Sequence, residues 1–349
     1  MPQSQTNLRN NIINYQEIAE RYTWSTQRNQ NIILSPDSDG FLCGLLYSHF
    51  LNWKIVGYYD GKALLLKNGL RAEQCVFLDV EIFRSNIKSV GHHMVLYNKR
   101  YVPPNWNNFS NCIQLNNLRN FDYKNDFERK YPFGTIHFLL GLLQNRGIIT
   151  SLTDNSLYPL LFCDGVWNNL FGYTENCLDW IDYLGINQPT HILNNIFCSN
   201  HSFYAIMNGM NDFLRFRDSF NATGFFDGTN FILRASSRSG HNMRISNNRG
   251  NIINLVRNGS LLDIHTNEKN RVEGFIRKLA TDTGWTYNNS NWIWSGFKVY
   301  TFPKSDFESE ELNLNNGNYQ NVIQQNPISW AIGKAGGMEY TLETPNRLP

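Results

Sequence analysis

A chain of 349 residues and 40.6 kDa is long enough for about two domains and for a core that needs no covalent staples. With 41% apolar, 14% aromatic and 17% charged residues it is not disordered, collagen-like or a coiled coil. Its formal charge of +2, from 31 basic and 29 acidic side chains, excludes a global basic field and leaves room only for a local basic patch.

The start, MPQSQTNLRNNIINYQ, carries no basic flank followed by an apolar stretch. No apolar run approaches the roughly 18 residues that span a bilayer. A cytoplasmic chain without membrane association is therefore expected. Cys43, Cys75, Cys112, Cys163, Cys177 and Cys198 are scattered with no C-x-x-C pair, which argues for reduced thiols over a disulfide framework or a zinc knuckle. Asn makes up about one residue in seven, a compositional bias with no function attached.

In chain order, Leu8 to Arg28 reads as a weak helix and Ile32–Leu34 as a short buried strand. Ser35 to Gly40 is a loop, and Phe41 to Leu51 an apolar helix. KIVGYYDG reads as a strand with a turn, ALLLKN as a strand or short helix, and Cys75–Val80 as a buried strand ending in an acid. Asn105 to Asp126 is an Asn-rich loop. Tyr131 to Gln144 is a helix, with FLLGLL (Phe138–Leu143) at its centre. Leu157–Gly165 is a strand or buried helix, and Glu175–Leu184 a helix with apolar residues at helical spacing. Polar linker signals fall at Asn194–Asn200, and strand character with Gly turns begins after Phe203. Alternating strands and helices predict an α/β fold with a parallel sheet. The predicted division is a domain over 1–200 followed by a smaller α/β domain over 201–349.

Acids and imidazoles gather where these strands end. Asp37 and Asp39 follow Ile32–Leu34, Asp79 closes CVFLDV, His92 and His93 are adjacent in SVGHHMVLY, and Asp164 follows LYPLLFC. Read singly, Asp37 and Asp39 in P-D-S-D-G cap the next helix, Asp164-Gly165 is a turn, and the histidines are ordinary. Asp79 is less easily dismissed, because a buried carboxylate needs a partner. If the strands are parallel, all these groups reach one rim, where α/β sheets bind ligands. Oxygen and imidazole donors without thiolates favour Mn²⁺ or Mg²⁺. Trp167, Tyr173, Trp292 and Trp294 are either base-stacking groups or core and rim aromatics.

The order PDSDGFLCGLL, FLDVE, GHHMV and LLFCDGVWNNLFGYTEN resembles the DHH phosphoesterase superfamily, which includes RecJ-like exonucleases and oligoribonucleases. LRASSRSGHNMRIS and GKAGGMEYTLE resemble motifs of that family's associated substrate domain. The resemblance implies a parallel-sheet DHH domain plus a substrate domain, and a phosphoesterase with two divalent cations, Mn²⁺ first and Mg²⁺ second. It implies that Asp37 and Asp39 each bind one ion, Asp79 bridges both, and His92 and Asp164 complete the ligand set. His93 would contact the scissile phosphate. Ser237, Arg238, Ser239, Gly336 and Gly337 would hold the substrate. The implied substrate is a short oligonucleotide or single-stranded nucleic acid cut from an end. The alternatives are a phosphatase of phosphorylated nucleotides or cyclic dinucleotides, and a catalytically inactive relative that binds nucleic acid or protein. Oligomerisation and a protein partner stay open. The chain departs from the family at Gly91, where the naming Asp is expected, and at Met338, where a His is expected. Asp79 and His92 are also only 13 positions apart.

Overall fold

Residues along the central strands alternate between two apolar layers, and this alternation organises the chain. The computed structural model describes residues 12–219, 242–247, 249–307, 316–332, 337–343 and 347–349. Six strands form in the first third: β1 (Asn31–Leu34), β2 (Lys54–Tyr59), β3 (Ala63–Lys67), β4 (Cys75–Leu78), β5 (Lys88–Gly91) and β6 (Cys112–Gln114). Three more follow late in the chain: β7 (Leu255–Asn258), β8 (Leu261–Ile264) and β9 (Phe297–Thr301). Together they make one nine-stranded sheet in the order β6-β5-β4-β1-β2-β3-β9-β8-β7. The half from β6 to β2 is parallel, and the pairings from β2 through β3 and β9 to β8 and β7 are antiparallel. The fold is thus α/β, as the alternation predicts. The segment after residue 200 contributes three strands to the same sheet as the segment before it.

Ile32, Leu34, Val76, Leu78 and Leu65 face one apolar layer, and Ile33, Cys75, Phe77, Leu64 and Leu66 face the other. Parallel strands buried on both faces read as unbroken apolar runs, which is why β1 and β4 are legible as strands. Helices fill the first layer: α1 (Tyr15–Arg21), α2 (Ser38–Leu51), α3 (Thr135–Asn145), α4 (Leu157–Phe162), α5 (Val166–Gly172), α6 (Thr174–Tyr183), α7 (Phe203–Ser219) and α8 (Thr266–Thr283). Helix α2 is apolar nearly all round because it packs against α3, α8 and the strands beneath it. It starts at Ser38, three residues before the expected Phe41, so Asp39 lies in its first turn.

Leu157–Phe162 is a helix, which resolves that ambiguity, and Ala63–Lys67 is a strand. The expected Asn105–Asp126 loop contains β6 and single helical turns. Strand β5 was not anticipated. Of the expected Leu8–Arg28 helix, the described part is helical over Tyr15–Arg21.

A second, three-stranded antiparallel sheet runs β10-β12-β11, from β10 (Lys304–Phe307), β11 (Ser329–Ile332) and β12 (Met338–Thr341). With helix α9 (Asn316–Gln324) it encloses a smaller core of Phe83, Met94, Tyr97, Phe109, Tyr319 and Trp330. Arg84 ties this unit to the main sheet, donating to the carbonyls of Asn326 and Pro327 and pairing with Glu343 at 2.7 Å. Among the described residues, no helix is long and apolar enough to cross a membrane. All six cysteines are free thiols, five of them buried.

Candidate metal centre and its cleft

Strand β1 is the point where the sheet order reverses, with β2 on one side and β4, β5 and β6 on the other. The loops leaving the carboxyl ends of β1, β4 and β5 therefore meet at a topological switch point. They carry Asp37 and Asp39, Asp79 and Glu81, and His92 and His93 respectively. Asp164 arrives from the helical layer, in the kink between α4 and α5. Asp79 and Asp164 are both in the left-handed backbone region, at φ 60° and 52°. Asp and Asn enter it more readily than other non-glycine residues, as Asn29, Asn52, Asn120, Asn254 and Asn326 also do.

Donor atoms of Asp79, His92, His93 and Asp164 all lie within 4.8 Å of one another. Thr135 holds two of these residues in register. Its hydroxyl donates to Asp79 Oδ1 at 2.8 Å, and His92 Nδ1 lies 3.0 Å from the Thr135 hydroxyl oxygen. With the hydroxyl proton committed to Asp79, His92 Nδ1 is the donor to Thr135. Nε2 of His92 then faces Asp164 Oδ2 at 3.3 Å, and in the neutral ring it does so as a lone pair. Asn116 fixes the backbone beneath, donating to the His92 carbonyl and accepting from the N–H of Tyr131. Asp79 Oδ2 is buried with no hydrogen-bond partner.

Electrostatics follow from this crowding. Burial, then the neighbouring carboxylates Asp39, Asp37 and Asp164, pushes the Asp79 carboxyl well above the ordinary range. Asp37 and Asp39 rise for the same reasons, burial first and Asp164 second. Burial pushes Asp164 up, but the adjacent imidazoles of His92 and His93 outweigh it and hold the carboxyl below the ordinary range. Burial lowers His92 and so favours its neutral, ligating form. His93 goes the other way: burial pulls it down, but the hydrogen bond and charge of Glu81 lift it to about 9. Its Nδ1 lies 3.3 Å from Glu81 Oε2, and the two histidine rings stack at 4.3 Å.

The expected residues fall into three sets. Asp79, His92, His93 and Asp164 are brought together. Asp37 and Asp39 border the group but are engaged elsewhere. Asp37 is the N-cap of α2, accepting from the N–H of Gly40 at 3.0 Å and from the Ser35 hydroxyl at 2.7 Å. Asp39 accepts from the N–H groups of Thr135 at 2.6 Å and Ile136 at 3.0 Å, at the start of α3. Ser237, Arg238, Ser239 and Gly336 lie outside the described residues, and Gly337 directly precedes β12. Trp292 and Trp294 are core residues, 2% and 8% exposed, whereas Trp167 and Tyr173 are exposed.

Sequence reasoning missed Thr135, Glu81 and Lys130. Thr135 stands in YPFGTIHFLLGLL, noted only as a helix. Glu81 closes the block FLDVE, two residues after Asp79, where an acid reads as surface charge. Lys130 is desolvated and its amine is lowered by burial, against the opposing charges of Glu81 and Asp164.

A cleft of about 370 Å³ opens beside the cluster. Asp37, Asp79, Glu81 and His93 line it, together with Arg244, Lys304, Trp330 and Tyr340 from the later part of the chain. Lys304 pairs with Glu339 at 2.7 Å. Met243 is tied to the loop after β1, its N–H donating to the Pro36 carbonyl at 2.8 Å.

The residues suit a divalent cation. The buried, unpartnered Asp79 Oδ2 and the His92 Nε2 lone pair facing Asp164 both call for positive charge, and the donors are the oxygen and imidazole type that such ions take. Comparison of the chain with models of protein families, with curated proteins and with solved structures finds no match.

Proposed function

We propose that the chain is a metal-dependent phosphoesterase of the DHH type. It would hydrolyse phosphodiester bonds at the end of a short oligonucleotide or single strand. The observation that carries this reading is the buried Asp79 carboxylate, one oxygen unpartnered, within 4.8 Å of His92, His93 and Asp164 at a sheet switch point.

Asp79, His92 and Asp164 would hold the cation, with Mn²⁺ the first candidate and Mg²⁺ the second. Asp37 and Asp39 are the residues the resemblance assigns to a two-ion site. A divalent ion bound there supplies a water whose pKa is lowered toward neutrality. The chain does the rest. Thr135 orients Asp79 and His92 together. His93, kept cationic by Glu81, faces the cleft and stabilises charge on the phosphoryl oxygens. The cleft is also lined by Arg244, whose planar fork suits a second phosphate. In this reading residues 201–349 form the substrate side. The cleft is of small-ligand size and the net charge is near zero, which favours a short substrate over a long duplex.

Mn²⁺-dependent cleavage of 5′- and 3′-labelled short RNA and DNA tests the reading, with Asp79→Ala beside the wild type. Stepwise mononucleotide release by the wild type alone supports it. A second reading, a metal-holding module without turnover, draws on the engagement of both Asp39 oxygens by α3. Bound Mn²⁺ without cleavage of oligonucleotides, phosphorylated nucleotides or cyclic dinucleotides would favour that second reading. Absence of both binding and cleavage would sink both.

A further inference from the structure

Glu81 is fully buried, 1% exposed, yet forms no ion pair with a lysine or arginine among the described residues. Its carboxylate is instead the hub of the loop that carries the histidines. Oε1 accepts from the backbone N–H of Met94 at 2.9 Å and lies 3.4 Å from Gln114 Nε2, and Oε2 meets His93 Nδ1 at 3.3 Å. Gln114 in turn donates to the Met94 carbonyl. One buried carboxylate thus fixes the ring of His93 and the backbone that follows it.

Gly91 makes room for that hub. A Cβ at position 91 would lie 2.6 Å from Glu81 Oε2 and 2.7 Å from its carboxyl carbon, closer than real contacts allow. The backbone does not need glycine there. Gly91 is not among the residues with positive φ, and it sits in regular parallel register opposite Gln114. Glycine therefore serves to leave space, which the Glu81 carboxylate fills and which a side chain at 91 could take only by displacing it.

We propose that Glu81 and Gly91 are a matched pair: Glu81 is the positioning residue for His93, reaching across from the strand β4 loop into the volume that a side chain at 91 would otherwise occupy. An acidic side chain at 91 would place its carboxylate in the same volume, beside the same imidazole. The two arrangements are alternatives, and each excludes the other. The role matters to catalysis through the phosphoesterase reading above, but the geometry stands without it.

The experiment compares wild type with Glu81→Ala, Gly91→Ala, Gly91→Asp and the swap Glu81→Ala/Gly91→Asp. It reads circular dichroism, imidazole ¹⁵N shifts of His93, Mn²⁺ affinity by calorimetry and hydrolysis of a short labelled RNA. Glu81→Ala is expected to shift the His93 signals and lower hydrolysis by roughly 10–100-fold, the usual effect of losing a group that orients a functional side chain, with Mn²⁺ affinity little changed because His93 is not among the residues that would hold the ion. Gly91→Ala and Gly91→Asp on the native background should do likewise by displacing Glu81. The swap should recover the native His93 shifts and at least tenfold of the lost activity. A folded swap no better than Glu81→Ala, or unchanged His93 shifts in Glu81→Ala, would overturn the pairing. If the wild type neither binds Mn²⁺ nor cleaves RNA, the phosphoesterase reading fails, while the His93 shifts still decide the pairing.

Discussion

The carboxylate of Asp39 caps the helix that Thr135 begins, accepting the Thr135 backbone N–H at 2.6 Å although the two residues are 96 positions apart. Asp39 is completely buried, and its other oxygen takes the N–H of Ile136. The same Thr135 offers its hydroxyl to Asp79. The acidic first turn of α2 thus sets the position of a neighbouring helix in the same layer, and through it the geometry of the cluster. Removing this cap in Asp39→Ala leaves two buried donors unsatisfied. A loss of about 1–2 kcal/mol is expected, read as a lower urea midpoint with unchanged slope. Asp39→Asn, which retains one acceptor, should recover part of it.

Asp79 carries the opposite balance. Burial and three neighbouring carboxylates raise its pKa, so its folded-state value exceeds its unfolded one. Such a group contributes most to stability below the ordinary carboxylate range, and that contribution is lost as pH rises through the folded value. Without metal, Asp79→Asn should therefore melt above the wild type at neutral pH and lose less stability as pH rises from 4 to 7. Added Mn²⁺ should raise the wild-type Tm and leave Asp79→Asn nearly unchanged. In Mn²⁺-dependent hydrolysis, Asp79→Ala should be the least active when set beside Asp37→Ala and Asp39→Ala. Finding it the most active would contradict its place at the centre of the site.

The two adjacent histidines should titrate far apart. Burial holds His92 below the usual 6.5, whereas Glu81 lifts His93 to about 9 against its burial. Because the His93 value is raised on folding, its stabilisation is complete below about 6.5 and disappears as pH climbs through about 9. Histidine NMR of the metal-free protein should show one midpoint on each side of 6.5, and Glu81→Gln should bring the upper one down.

Gly40 sits where α2 turns back over β1. A Cβ there would lie 2.0 Å from the Ser35 carbonyl oxygen, a backbone atom that cannot step aside. Gly40→Ala should cost about 1–3 kcal/mol or more and disturb the Asp37 cap, whose acceptor bond goes to the Gly40 N–H. Thermal melts and Mn²⁺ titration of the same sample would check both effects. Unchanged values in both would mean the loop has slack that the contact distance does not suggest.

The buried strands β1 and β4 and the apolar helix α2 were legible because residues packed on both sides leave unbroken apolar runs. Strands β5 and β6 were not, since KSVG and CIQ are too short and too polar to stand out from loops. Asp79, His92, His93 and Asp164 could be grouped from their places after strands and in a turn. The engagement of Asp37 and Asp39 at helix starts was weighed from P-D-S-D-G, but the partner of Asp39, α3, is invisible to local pattern. Glu81 was hidden for a similar reason. A carboxylate is buried beside His93 only because position 91 lacks a side chain, and that depends on two strands lying side by side.

Strand β9 pairs with β3 along five residues, Ala63 to Lys67 against Thr301 to Phe297. The acid and histidine cluster is encoded entirely before residue 165, so a shortened gene ending near 200 would retain all of it. Its product would nonetheless bare a row of unsatisfied amides and carbonyls on the apolar strand ALLLK, an open template for intermolecular pairing. Such a fragment should precipitate on expression, because the late strands are what covers the edge of β3.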